Sequence, residues 1–233
     1  MDKAIEVIKE LNKLADKKQA ENLQRFFKTG KGQYGQGDIF LGIKVPRQRE
    51  IVKKYKDLDL LEVARLLKSK IHEQRLVALL ILADQFKKAD NKEKKEIFNL
   101  YLKNTKYINN WDLVDLSSPN IVGEYLLDKK RDILYKLAQS QNLWQKRIAI
   151  MACFAFIRNF EYSDCLKISR LLLKDKHDLI HKAAGWMLRE IGKKDLKKEE
   201  EFLDKYFKIM PRTMLRYAIE KFSQAKRKKY LKK

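Results

Sequence analysis

QRLVALLILAD, residues 74–84, decides the fold because it recurs. NWDLVDLSSPN (110–120), KRIAIMACFAF (146–156), HKAAGWMLREI (181–191) and PRTMLRYAIEK (211–221) align with it. Taking the second residue of each as phase 0 gives Arg75, Trp111, Arg147, Lys182 and Arg212, spaced by 36, 36, 35 and 30 residues. A helix-length stretch separates each segment from the next. That period belongs to a two-helix unit stacked on copies of itself into a solenoid. Helical spacing also runs through the flanks, at Leu61, Ala64, Leu67 and Lys68 and at Ile97, Leu100 and Tyr101.

Composition agrees with an all-α chain. Gly 8 and Pro 3 in 233 residues lie far below the roughly 12% of an average protein, too few turn residues for a sheet-rich fold. Five of the eight glycines fall in TGKGQYGQGDIFLGIKVP (29–46), which reads as the one long loop. No linker divides the chain, so a single domain over 1–233 is expected. The 45% hydrophobic content suffices for a core, and two Cys suit a reducing cytoplasm rather than a disulfide scaffold. No apolar run is long enough to span a membrane, and MDKAIEVIKELNKL (1–14) is amphipathic rather than a signal peptide. The net charge of +22 points to a polyanion.

The register sorts the residues by face. Phases +2, +3 and +6 are small or apolar, as in Val77, Ala78 and Ile81 or Ala149, Ile150 and Cys153, and form the packing side. Phases 0, +4 and +7 lie together on another side. It carries Arg75, Leu79 and Leu82; Trp111, Asp115 and Ser118; Arg147, Met151 and Phe154; Lys182, Trp186 and Arg189; Arg212, Arg216 and Ile219. In a stacked array, as in HEAT or armadillo repeats, such faces line one concave surface. This one holds six cations, two indoles and one carboxylate. The cations suit a phosphate backbone, and an indole face suits a sugar, a base or a cation. Asp115 either pairs with Arg147 of the next repeat or stabilises a developing positive charge such as an oxocarbenium ion. The tail KFSQAKRKKYLKK (221–233) brings seven more cations, for phosphate contact or for solubility.

NNWDLVDLSSPNIVG (109–123), WQKRIAI (144–150) and KAAGWMLREIGK (182–193) resemble the AlkD-type DNA alkylation-repair glycosylases. FLGIKVPRQREIVKKY (40–55) is similar to that family's N-terminal motif and MPRTMLRYAIEKF (210–222) to its last repeat. The resemblance implies a HEAT-like solenoid with a concave basic groove. It also implies hydrolysis of the N-glycosidic bond of cationic alkylpurines, N3-methyladenine and N7-methylguanine, in duplex DNA for base excision repair. Carried over residue by residue, it puts Trp111, Asp115 and Trp186 in the catalytic cleft and Arg147 on a phosphate. Lys182, Arg189, Arg212 and Arg216 join Arg147 as DNA contacts through the register. The lesion's deoxyribose is then held between aromatic side chains near the base stack. A cytoplasmic monomer without cofactor or metal is expected. A non-catalytic binder of DNA structures and a helical-repeat protein scaffold are the alternatives.

Other motifs are weaker. Gly30-Lys31-Gly32-Gln33-Tyr34-Gly35 fits G-x-G-x-x-G, but no strand precedes it. His177 and His181 have ligand spacing without the glutamate of a zinc helix, and Cys165 is a further candidate ligand. Cys153 reads as a packing residue, and His72 has no evident partner. Phe26, Phe27 and Tyr34 either reach DNA or, for the two Phe, pack between helices.

Overall fold

The computed structural model describes residues 3–232. Met1, Asp2 and Lys233, which the sequence assigns to the first helix and the basic tail, lie outside the described residues. Among the described residues there is no strand, only an isolated parallel bridge between Ile39 and Ile71. Among the described residues no helix is long and apolar enough to cross a membrane.

The chain forms two compact units, the first ending at Ser117 and the second beginning at Ser118. The first contains α1 (Lys3–Lys13), α2 (Lys17–Phe26), α3 (Val45–Lys54), α4 (Leu60–Leu67), α5 (His72–Lys88) and α6 (Asn91–Lys103), and nearly all of α7 (Trp111–Ser118). The second contains α8 (Asp132–Ala138), α9 (Leu143–Arg158), α10 (Ser163–Leu171), α11 (Asp178–Lys194), α12 (Leu196–Tyr206), α13 (Arg212–Ala218) and α14 (Gln224–Leu231). The five phase-0 residues fall in α5, α7, α9, α11 and α13, and a second helix follows each. The expected all-α helical repeat is therefore the observed architecture.

Local chemistry sets the helix starts. Asp59, Asp90, Asn142 and Asp195 each cap a helix by accepting backbone N–H groups, and Asp90 with Glu93 completes a capping box. The long loop occupies 27–44, slightly earlier than expected, because Pro46 is tolerated in the first turn of α3. Glu73 anchors that loop from α5. Its carboxylate accepts the N–H groups of Leu41, Gly42 and Ile43 at 3.0, 2.8 and 3.2 Å.

The core of the first unit is α5, packed against α1, α3, α4 and α6 and buried on almost every side. In the second unit α9 packs against α8, α10, α11 and the π-helical turn Pro119–Gly123, and α11 packs against α12 and α13. This crowding corrects the face assignment in part. Leu79, Leu82 and Met151 are fully buried, as is Ile219, so these phase +4 and +7 positions belong to the core. Cys153 is buried in the packing side of α9 as the register requires.

Candidate functional site

In the first unit the site is built at the start of α7. Asn110 accepts the Trp111 N–H on its Oδ1 at 2.8 Å, and Asp112 accepts the Leu113 N–H at 2.9 Å. These short polar side chains satisfy donors that the first turn leaves without helical partners. Trp111 is half-buried, and Asp115 follows one turn later, also half-buried. The spacing of four puts indole and carboxylate on one side of the helix.

The Trp111 ring stacks on Phe27, with centroids 5.2 Å apart and planes 18° apart, and Phe26 meets its edge at 6.0 Å. Phe27 also stacks on Phe40, which stacks on His72 at 4.4 Å. Gly35 lets the glycine-rich loop close on this cluster, since a Cβ there would lie 2.4 Å from the Phe27 carbonyl oxygen. Of the candidate aromatics, Phe27 is therefore core. Phe26 is 63% exposed.

Beneath the rings is a buried ionic cluster that the sequence does not reveal. Arg75 donates to Asp38 at 2.6 Å and to the Ser69 carbonyl at 3.0 Å. Asn110 donates to Asp38 at 3.0 Å. The His72 ring nitrogens lie 3.1 Å from Asp38 and 2.8 Å from Asp112. Arg75, expected as a groove cation, is thus a structural residue, drawn inward by the Asp38 carboxylate and only 3% exposed. Burial opposes the charge on His72, yet the Asp112 charge and hydrogen bond, with the Asp38 hydrogen bond, push its pKa up to about 9. Burial would raise Asp38, but the His72 hydrogen bond and the Arg75 charge hold it below the usual carboxylate range.

In the second unit Trp186 is half-buried on α11. Its indole N–H donates to Glu190 at 3.0 Å, and its ring lies 6.2 Å from Phe154 of α9. That contact joins phase +4 of one helix to phase +7 of its neighbour, as the register expects. Glu190 also pairs with Lys193 at 2.7 Å.

The cations assigned to DNA differ in setting. Arg147 is 5% exposed, and its guanidinium donates to the Leu179 carbonyl. Lys182 pairs with Asp178 at 2.8 Å, and Arg189 pairs with Glu220. Arg212 is exposed and donates to the Leu231 carbonyl at 3.0 Å, while Arg216 is exposed on α13. In the basic tail Tyr230 is buried and donates to Asp204 at 2.8 Å, so α14 is docked.

His177 caps α11, accepting the Leu179 N–H at 3.1 Å, and His181 bonds the Asp175 carbonyl at 2.6 Å. Among the described residues no group of three His, Cys, Asp or Glu is arranged to hold a metal ion. Sequence reasoning missed Asp38, Asp112, Asn110 and Phe40. Asp38, Asp112 and Asn110 lie 34 to 72 residues from the partners they meet, and Phe40 lies 13 and 32 from Phe27 and His72, separations without periodic signal. Glu190, four residues after Trp186 on one helix, was within reach of helical spacing.

A family model described as DNA alkylation repair enzyme matches residues 7–222. Among solved structures the chain is similar to one titled a predicted DNA alkylation repair enzyme from Enterococcus faecalis. The two share 15% identity over 90% of this chain and 97% of that one, with a TM-score of 0.69, a likeness of fold. No curated protein matches. Since the family model spans nearly the whole sequence, from within α1 to just after α13, the chain belongs to the DNA alkylation repair enzyme family.

Proposed function

We propose that this protein is a DNA glycosylase that releases cationic alkylated purines, N3-methyladenine and N7-methylguanine, from duplex DNA, acting as one functional domain and as a monomer. The observation that carries the reading is the pairing on α7 of a stacked indole, Trp111, with a half-buried carboxylate four residues later, Asp115. An alkylated N3 or N7 makes the purine positive, so the base leaves neutral when the C1′–N bond breaks and needs no general acid. The electrons of that bond go with the base, and positive charge develops on the deoxyribose. Asp115 stabilises that charge, and the Trp111 face lies against the sugar. Water then adds at C1′ and gives its proton to solvent.

Trp186 supplies the second indole of the reaction. Arg147, Lys182, Arg189, Arg212 and Arg216 contact backbone phosphates, which position the duplex without reading sequence. No cofactor enters this scheme. The reading is tested by incubating the protein with methylated duplex DNA and chromatographing the liberated bases. Matched oligonucleotides with hypoxanthine or uracil, which need protonation to leave, are expected to stay intact. Comparable release of those neutral bases overturns the charge-based mechanism. Tight, salt-sensitive binding with no released base favours the non-catalytic binder instead.

A further inference from the structure

His72 is 2% exposed, lies outside the reacting residues proposed above, and meets Asp112, the residue after Trp111, and Asp38 from the long loop. We propose that His72, as an imidazolium, is the positioning residue that fixes the start of α7 and thereby the ring plane of Trp111. Its consequence for base release rests on the glycosylase reading.

Two routes lead from His72 to Trp111. The first runs through the residues on either side of the indole. His72 Nε2 donates to Asp112, the residue after Trp111, at 2.8 Å. His72 Nδ1 donates to Asp38 at 3.1 Å, and Asp38 accepts from Asn110, the residue before Trp111, at 3.0 Å. Asn110 in turn accepts the Trp111 N–H. The second route is through rings: His72 against Phe40, Phe40 against Phe27, and Phe27 against Trp111.

Charge explains why an imidazolium is needed. The groups facing His72 are Asp38 from the long loop, Asp112 from α7 and Arg75 from α5. Glu73, the neighbouring carboxylate on α5, is turned to the amides of Leu41, Gly42 and Ile43. Two buried carboxylates and one guanidinium leave a single negative charge, which is costly away from water. A protonated His72 cancels it and supplies two donors for two acceptors. A neutral ring has one N–H and would turn a lone pair toward one carboxylate. Loss of the proton therefore opens one arm of the bridge across Asn110–Asp112.

The test is an NMR titration of the full chain from pH 6 to 10. It follows the Trp111 indole N–H, assigned with Trp111→Phe, beside the His72 ring protons. Both are expected to move together, with a midpoint near 9. In single-turnover assays, release of N7-methylguanine falls over the same interval while duplex affinity holds. His72→Gln, which keeps one amide donor, is expected to be slower at pH 7 by about tenfold or more and to lack the alkaline step in both readouts. A histidine of purely structural use would lower stability but leave the shape of the pH profile unchanged. An indole signal that stays flat while His72 titrates overturns the proposal, as does a His72→Gln profile of wild-type shape. Should His72→Gln not fold, the wild-type titration decides alone. Absence of base release at every pH counts against the glycosylase reading only, since the NMR titration needs no substrate.

Discussion

Trp111 and Trp186 lie on the same face of the repeat register, yet the two units hold them in different ways. Trp111 is backed by a buried ring, Phe27, over a buried ionic cluster whose charges balance when His72 is protonated. Trp186 is tethered at its N–H to Glu190, which also pairs with Lys193, a side chain 45% exposed. Buried, compensated contacts fix geometry, whereas an ion pair with one exposed end, such as Lys193 with Glu190, is partly screened and contributes about 1 kcal/mol or less. Each unit also leaves a buried polar atom of a charged side chain without a hydrogen-bond partner, Arg75 Nε in the first and Glu199 Oε1 in the second. Rigid preorganisation thus belongs to the α7 side and adjustable contacts to the α11 side.

The strongest way to break this contrast is to remove the ring behind Trp111. Phe27→Ala should cost about 3–5 kcal/mol of stability in urea unfolding, as for other buried aromatics. Phe26→Ala, at a position 63% exposed, should change stability little. Equal losses would mean that the stack is not a buttress. Next in size is Asp115→Asn, which preserves shape and removes charge. Single-turnover release should fall about 100-fold or more, as when a transition-state charge partner is lost, with DNA affinity kept or improved. Near-wild-type turnover would end the proposed role of Asp115.

Glu199 sharpens the comparison through pH. Burial, reinforced by Glu200 and outweighing Arg189, pushes its carboxyl up to about 8 from an ordinary 4.5. The folded state therefore holds this proton more tightly than the unfolded chain. The associated stability is complete below 4.5 and is lost as pH rises through about 8. His72, raised from 6.5 to about 9, has the same sign in a higher window, with its contribution lost as pH passes 9. Glu199→Gln should raise the melting temperature at pH 8.5 and leave it nearly unchanged at pH 4.5. A uniform shift across pH would show that packing, not charge, governs the site; Gly192, which a Cβ would crowd against the Glu199 carboxyl, marks how close that packing is.

Arg147→Ala should weaken damaged and undamaged duplex alike, and lower the slope of log K against log salt by about one unit. A slope equal to wild type would leave Arg147 as a structural residue that donates to the Leu179 carbonyl. The smallest effect is expected from Glu190→Gln, which still accepts from the Trp186 indole while losing its charge. Base release should change by less than about twofold, the scale of an ion pair with one exposed end. A larger loss would mean that Trp186 is as tightly positioned as Trp111.

Helix content, the five-unit period and the placement of Trp111, Asp115, Trp186 and Phe154 were legible because they obey short-range rules. A residue's helix face follows from spacing, and spacing is written along the chain. The same rules put Arg75, Leu79, Leu82 and Met151 on the groove-lining face, and there they failed. A single-helix pattern does not register how many neighbours enclose that helix. Only the tertiary structure turned Arg75 inward to Asp38, gave His72 two carboxylates and set Phe27 behind Trp111. Those contacts join residues 34 to 84 positions apart, through charge balance and ring packing that depend on three-dimensional proximity and leave no period in the sequence.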